Sequence, residues 1–177
     1  MSKPLPNIQS PAARRLAEAE VRRLIAKFAP EYERLIRALR RSLRKRLPTA
    51  YEVVYEYNGF FLISHSPSEH GYEGVFALRA SADGVRLYCN RGKGLPDPEK
   101  LLQGSGGQAR WILVEASSTM ARPAVVRLVE AAIARNPVPF ARTGRGVVII
   151  RSGAAKRRQR SAGKPAAPAK RSPRRSA

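Results

Sequence analysis

The stretch that decides the fold is Gly84–Glu115, GVRLYCNRGKGLPDPEKLLQGSGGQARWILVE. Apolar and polar side chains alternate from Val85 to Asn90, which is the period-2 pattern of a half-buried strand. The glycines and prolines that follow end this strand, because proline has no N–H to donate to a sheet. A second strand is predicted from Arg110 to Glu115. The stretch therefore predicts two sheet strands joined over a glycine-rich corner.

Two local signals lie inside this corner. Asp97 followed by Pro98 is typical of a helix start and predicts a short helix there. The run from Gly104 to Gly107 can present several backbone N–H groups to an anion, although it lacks the Lys-Ser/Thr of a nucleotide-binding loop. The candidate contacts for an unknown small ligand or protein are Gly104, Ser105, Gly106 and Arg110. The alternative is a tight turn in which the glycines serve only the backbone conformation.

The chain on either side predicts an α+β domain over residues 10–152. Ser10 and Pro11 predict the start of a first helix, in which Leu16, Leu24 and Ile25 are expected to share a buried face. Further strands are predicted at 51–57, 60–64, 73–80 and 147–151, and a third helix is predicted from about 119 to 135. The expected fold is a curved antiparallel sheet packed against two to three helices.

The second predicted helix, from about Glu31 to Leu47, is strongly amphipathic. At helical spacing its apolar side chains form one arc and six cations form the opposite arc: Arg34, Arg37, Arg40, Arg41, Arg44 and Lys45. No acidic residue lies among these cations, so they repel one another. One interpretation is an ordinary solvated face. The other is a phosphate-contacting face, with Arg37, Arg41, Arg44 and Lys45 as the candidate nucleic-acid contacts.

The charge is concentrated in the two ends of the chain. The net charge is +21; residues 1–50 carry 13 Lys and Arg against 4 Asp and Glu, and residues 151–177 carry 10 against none. Residues 51–150 are almost neutral, with 11 against 9. This distribution favours electrostatic attachment to a polyanion through the ends of the molecule.

Residues 153–177 contain no aromatic or branched aliphatic side chain. Such a composition buries too little surface to offset the entropy of ordering, so this tail is predicted to be disordered, and residues 1–9 are predicted to be a flexible arm. The candidate phosphate contacts of the tail are Lys156, Arg157, Arg158, Arg160, Lys170, Arg171, Arg174 and Arg175. The alternative is a solubilising or targeting tail. A membrane partner is disfavoured because the tail has no apolar anchor.

Residues that carry chemistry are few. His65 and His70, with Glu69 and Glu73 nearby, are too sparse for a zinc site and are predicted to be solvent-exposed loop histidines. Cys89 shares a strand face with apolar residues and is expected to be a small buried hydrophobe. No nucleophile has a neighbouring base in a known catalytic spacing. The sequence therefore predicts neither an enzyme, nor a metal site, nor a cofactor.

The combination of GVRLYCNRGKGLPDPEKLLQGSGGQARWILV with the preceding LPTAYEVVYEYN and EGVFALRA resembles the YdhG-like family, a bacterial domain of unknown function. The resemblance covers about residues 32–151 and implies two helices packed on a curved antiparallel sheet, but it carries over no catalytic residues. One branch of the family is described as frataxin-like and iron-handling. The 13 cations of the first two helices and the preceding arm depart from the hard-oxygen surface that such a role uses.

The function expected from these observations is non-enzymatic, low-specificity binding of DNA or RNA through the basic tail and the basic helix face. The alternative is a small-ligand or iron-handling protein with an incidental tail. One cysteine and no apolar N-terminal run predict a cytoplasmic protein, with association with the nucleoid as a further expectation.

Overall fold

A computed structural model of the chain describes residues 9–152, which form three α-helices and one six-stranded sheet. The helices are α1 (Pro11–Ile25), α2 (Pro30–Arg46) and α3 (Pro123–Ala134). The strands are β1 (Tyr51–Tyr57), β2 (Phe60–Ser66), β3 (Phe76–Ser81), β4 (Gly84–Cys89), β5 (Arg110–Leu113) and β6 (Val147–Ser152). The predicted α+β class is confirmed. Within these residues, no helix has both the length and the apolarity to cross a membrane.

The sheet has the strand order β5-β4-β3-β2-β1-β6. Strands β1 to β5 pair antiparallel with their sequence neighbours, as expected for a meander. Strand β6 instead runs parallel to β1, with Tyr51 opposite Val147 and Glu52 opposite Val148. The sheet is therefore mixed rather than wholly antiparallel. Residues 114–146, which include α3, carry the chain from one edge of the sheet to the other, and a crossover of that length allows parallel pairing.

All three helices contribute to a single core on one face of the sheet. Cross-strand pairing places the inward side chains in register, for example Ile63 opposite Val54 in β1 and opposite Leu78 in β3. Helices α1, α2 and α3 cover this face with Leu24, Leu39, Leu128 and their apolar neighbours. Glu52 lies two residues before Val54, and side chains two residues apart in a strand share one face, so Glu52 also faces the core. One carboxylate is thus built into an otherwise apolar layer.

The start of α1 follows its local signal, and that of α3 does not. The Ser10 hydroxyl accepts a hydrogen bond from the backbone N–H of Ala13 at 3.2 Å, and each helix has a proline in its first turn. The third helix begins at Pro123 rather than near Thr119, because Ser117–Ala121 forms a separate 3-10 turn before it.

The end of the predicted N-terminal arm is fixed to the sheet. The Gln9 side chain donates to the Val148 carbonyl at 2.8 Å and accepts from the Val148 N–H at 3.1 Å. Gln9 therefore satisfies the outer edge of β6 at this position instead of belonging to an arm. The rest of that arm, residues 1–8, and the predicted tail, residues 153–177, lie outside the described residues.

Two expectations about local structure are wrong. Leu16 is 74% exposed, because α1 buries only a narrow stripe that includes Val21 and Leu24. No helix forms at Pro98: the Asp97 carboxylate accepts the N–H groups of Leu101 and Leu102 at 2.9 and 2.8 Å. Lys100 has a φ of 52°, which turns the chain before a helix can propagate.

Two leucines of α1 give a matched test of this packing. We expect Leu24→Ala to lower the free energy of unfolding by about 2–5 kcal/mol, since Leu24 is 1% exposed in the core. Leu16→Ala makes the same chemical change at an exposed site and should change it by less than about 0.5 kcal/mol. Urea denaturation followed by circular dichroism measures both. Equal losses in the two variants would contradict the orientation of α1.

Candidate functional site

The only carboxylate in the first half of β1, Glu52, is nearly fully buried between the sheet and α2, with 2% of the residue exposed. Arg40 of α2 donates from Nε to both Glu52 oxygens at 3.1 Å and from Nη2 to Oε2 at 2.6 Å. Arg44, one turn later, donates from Nε to Oε1 at 3.0 Å and from Nη2 to Oε2 at 2.5 Å. Glu52 is therefore held by two guanidinium groups from one helix.

A second carboxylate, Glu18 of α1, closes this cluster. Arg40 Nη1 donates to Glu18 Oε2 at 2.9 Å, and Arg44 Nη2 donates to Oε1 at 2.5 Å. The cluster of Glu18, Arg40, Arg44 and Glu52, which we call the ion cluster, thus contains two positive and two negative charges. It ties α1 and α2 to the sheet.

The ion cluster corrects the prediction that the α2 cations have no acidic partners. Arg40 is 8% exposed and faces the sheet, and Arg44 lies at the boundary. Arg37 forms an ion pair with Glu33 one turn earlier on α2. The helical pattern missed the first two pairings because their partners come from α1 and β1.

His65 is the residue that sequence analysis placed most wrongly. Strand β2 continues to Ser66, so His65 is not in a loop; it lies opposite Glu52 in the register and is fully buried. Its Nε2 is 3.4 Å from Glu52 Oε1, too long for a well-formed N–H···O hydrogen bond. Within residues 9–152, neither ring nitrogen has a hydrogen-bond partner. His70 is exposed, as expected, and its ring stacks on Tyr72.

The ion cluster sets the charge state of Glu52. Burial acts to raise the pKa of Glu52, but the neighbouring His65 and the charges and hydrogen bonds of Arg40 and Arg44 outweigh it. The net pKa lies well below the ordinary glutamate value. Glu52 is therefore ionised at neutral pH, and its charge is offset by the two arginines.

A cavity of about 240 Å³ opens beside the ion cluster. Its wall combines parts of α1 and α2, the start of β1, His65 of β2 and the turn that leads into β6, with the following lining residues: Arg14, Arg44, Leu47, Pro48, Ala50, Glu52, His65, Gly144, Arg145, Gly146, Val147 and Val148. No local sequence pattern predicts this cavity, because its polar residues come from five separate parts of the chain.

Two arginines of this cavity have no carboxylate partner among the described residues. Arg14 donates from Nη1 to the Gly146 carbonyl at 2.6 Å, and Arg145 is exposed without a hydrogen bond to residues 9–152. Burial lowers the pKa of Arg14, and repulsion from Arg44 and Arg145 lowers it further. The cavity thus carries positive charge that the ion cluster does not neutralise.

On the outer side of α2, three exposed cations remain besides Arg37, which is paired with Glu33: Arg34, Arg41 and Lys45. None of them forms an ion pair within residues 9–152. Arg41 and Lys45 lie where the sequence predicted them, and Arg34 joins them. Of the other two predicted helix contacts, Arg37 is paired with Glu33, and Arg44 is drawn into the ion cluster. The predicted tail contacts, from Lys156 to Arg175, lie outside the described residues.

The sheet face opposite the core, which we call the outer face, carries aromatic and arginine side chains. The rings of Tyr57 and Phe60 stack with centroids 4.6 Å apart, and the Arg79 guanidinium lies 4.5 Å from the Phe60 ring. Arg86 lies 4.8 Å from the Trp111 ring centre. All five side chains are half-buried. The alternation that predicted the buried face of the sheet also predicts this outer face, since every second strand residue points outward.

At the glycine corner, Arg110 Nη1 donates to the carbonyls of Gly106 and Ala109, each at 2.7 Å. Gly104 has a φ of +103° and lies against Trp111. Ser105 and Gly106 are exposed. These contacts favour a turn in which the glycines serve backbone conformation, and the anion contact at Gly104, Ser105, Gly106 and Arg110 stays a prediction.

Metal ligands are dispersed in the part of the chain that the structure describes: no three His, Cys, Asp or Glu side chains there are grouped to hold an ion. Cys89 is buried in the core, as expected. Burial raises the pKa of the Cys89 thiol to about 12, so it is protonated and unreactive at neutral pH.

The ion cluster makes stability depend on pH. Because the pKa of Glu52 is lowered on folding, its contribution to stability is present above the unfolded-state pKa, about 4.3, and is lost as the pH falls below it. Glu52→Gln should cost about 3 kcal/mol at pH 7 and flatten the loss of stability between pH 5 and pH 3. Urea denaturation at several pH values measures this.

The control is Glu99→Gln, which removes an exposed carboxylate 3.1 Å from Arg127. It should cost less than about 0.5 kcal/mol and keep the wild-type pH profile. A Glu52→Gln profile parallel to wild type would contradict the depressed pKa.

Comparison with known proteins gives no match to a family model, to a curated protein or to a solved structure. The resemblance to the YdhG-like family stays a prediction.

Proposed function

We propose that this chain is a non-enzymatic protein that binds DNA or RNA with low sequence specificity. The observation that carries the proposal is the set of exposed α2 cations that have no carboxylate partner within residues 9–152. The sequence adds a C-terminal segment that is equally one-sided in charge. Residues 153–177 contain nine Lys and Arg and no Asp or Glu. Contacts of this kind release counterions from phosphates and carry no sequence information.

The geometry of α2 suits a phosphate backbone. Arg34, Arg41 and Lys45 are seven and four residues apart, so at about 100° per residue they fall within an arc of about 40°. They span about 16 Å along the helix axis. A row of this length can contact several successive phosphates of one strand. We therefore assign the first contact surface to this row, which we call the α2 stripe.

The outer face of the sheet supplies a second contact surface. Aromatic rings accept stacked bases of a single strand whatever the base, and arginine guanidinium groups add cation–π and phosphate contacts. Tyr57, Phe60 and Trp111 are half-exposed on this face beside Arg79 and Arg86. Because bases in a duplex are already stacked, this face favours single strands over duplexes.

In the sequence, the basic segment of residues 153–177 follows β6, which is an edge strand of the sheet. The α2 stripe lies on the helical side of the sheet, and the aromatic rings lie on the other side. A segment that starts at the sheet edge can supplement either surface. We accordingly propose that it raises affinity for both kinds of nucleic acid through charge. The cytoplasmic or nucleoid location expected from the sequence is part of this proposal.

The α2 stripe can be tested by its salt dependence. Combined Arg34→Ala, Arg41→Ala and Lys45→Ala substitutions should lower duplex affinity and reduce the slope of log affinity against log salt by about 2–3, since each phosphate contact contributes about 0.9. Fluorescence anisotropy at four salt concentrations measures the slope. Removal of residues 153–177 should reduce the slope independently.

The matched control removes three exposed cations elsewhere: Lys100, Arg122 and Arg142. It lowers the net charge equally but should change the slope by less than half as much. An equal effect would assign binding to overall charge rather than to the α2 stripe. Undetectable binding by the full chain at low salt would refute the proposed function.

The outer face can be tested by removing one ring while keeping apolar volume. Tyr57→Leu should weaken binding of a single-stranded oligonucleotide by about 5- to 100-fold, the amount expected for one stacked base, and leave duplex affinity unchanged. Tyr72→Leu is the control, since Tyr72 is 71% exposed and lies outside the sheet. Equal single-strand affinity for Tyr57→Leu and wild type would remove this surface from the proposal.

A further inference from the structure

We propose that the cavity beside the ion cluster binds a phosphate monoester, with Arg14, Arg44 and Arg145 as donors to its oxygens and His65 as a further polar partner. This site is separate from the α2 stripe and the outer face. The inference therefore does not rest on nucleic-acid binding.

The charges around the cavity favour a ligand that carries two negative charges. Glu18 and Glu52 are matched by Arg40 and Arg44, which hold both carboxylates in hydrogen bonds. Arg14 and Arg145 remain, and both line the cavity without a carboxylate partner among residues 9–152. These two positive charges exceed the number of nearby carboxylates, and they match the charge that a phosphate monoester carries at neutral pH. A carboxylate or a backbone phosphodiester, each with one negative charge, would offset only half of it.

The hydrogen bonding of His65 also favours a ligand in the cavity. A buried polar group without a partner is costly, and native structures contain few of them. His65 is such a group by hydrogen-bond geometry: it is fully buried and lines the cavity, and neither ring nitrogen forms a well-formed hydrogen bond to residues 9–152. Its Nε2 lies 3.4 Å from Glu52 Oε1. Its neighbour Glu52 already accepts five hydrogen bonds from Arg40 and Arg44. A ligand in the cavity would give His65 a well-formed hydrogen bond, which residues 9–152 do not supply.

The number of guanidinium donors around the cavity also favours phosphate over a carboxylate. Arg44 uses Nε and Nη2 in the ion cluster, and no hydrogen bond from its Nη1 to residues 9–152 is formed. Arg14 uses Nη1 on the Gly146 carbonyl, and Arg145 forms no hydrogen bond to residues 9–152. Three guanidinium groups from α1, α2 and the turn before β6 therefore border one space. Guanidinium groups from three separate elements suit the tetrahedral oxygens of phosphate better than the two coplanar oxygens of a carboxylate.

The size of the cavity limits the ligand. About 240 Å³ is below the 300–1,000 Å³ of common ligand pockets, so the site accommodates a phosphate group with a small substituent. Leu47, Val147 and Val148 line the same cavity and offer an apolar contact to that substituent. The phosphate can belong to a free small molecule or to the 5′ end of a nucleic-acid strand, and the experiment separates these sources.

The test uses the full-length protein and inorganic phosphate as the probe, with amide and His65 ring signals followed by NMR at constant ionic strength. We expect saturable shifts at His65, Gly144 and Gly146. Arg145→Ala should weaken phosphate binding by at least about tenfold, the loss expected for one charged hydrogen bond. Arg145 is exposed and unpaired among the described residues, so this variant should keep its wild-type melting temperature.

Arg142→Ala is the matched control, since Arg142 is an exposed arginine three residues earlier and does not line the cavity. It should bind phosphate like wild type. Arg14→Lys keeps the charge but loses the guanidinium fork and should also weaken binding. Wild-type phosphate affinity in Arg145→Ala, or shifts confined to residues outside the cavity, would overturn the proposal.

The second arm compares a 5′-phosphorylated oligonucleotide with its unphosphorylated form. A larger shift at His65 for the phosphorylated strand supports the nucleic-acid end as the source, and equal behaviour of the two strands, with saturable binding of inorganic phosphate, supports a small molecule. The variant with the α2 stripe removed should keep the phosphate response at His65. Loss of nucleic-acid binding and loss of phosphate binding are therefore distinguishable.

Discussion

A carboxylate on the buried face of a sheet cannot remain charged unless the protein supplies partners, and Glu52 is in this position. Arg40 and Arg44 supply those partners from α2, and Glu18 of α1 balances the second charge. Removing one member would leave an uncompensated buried charge. The ion cluster therefore fixes the relative positions of α1, α2 and β1 more specifically than apolar packing alone would.

The ion cluster also divides the charge of α2 between two roles. Arg40 and Arg44 point toward the sheet, while Arg34, Arg41 and Lys45 remain on the solvent side. Because buried ion pairs add little net stability compared with apolar residues of the same size, stability alone does not explain the cluster. Its position at the wall of a cavity with surplus positive charge connects it to the phosphate binding that we propose. The proposed phosphate site and the proposed nucleic-acid surface thus use different faces of the same helix.

Much of the fold could be predicted from local patterns. Ser10 with Pro11 fixed the start of α1, and the alternation around Val85 and Cys89 gave β4 and its buried face. These features depend on interactions between residues close in sequence, such as a cap or the alternation of a pleated strand. Where the outcome depended on competition with distant residues, the same patterns misled: Leu16 kept helical spacing but faces solvent.

The amino-acid sequence by itself determined the α+β class, the start of α1, the burial of Cys89 and the concentration of charge in the ends of the chain. Only the tertiary structure decided which cations are surface groups, that His65 is buried, and that β6 returns parallel to β1. The physical reason is that the burial and the pairing of a charged or polar side chain depend on the groups that it contacts, and these groups can be far away in sequence. Glu18 meets Arg40 across 22 positions of sequence, and Arg14 meets Gly146 across 132, which no local pattern records.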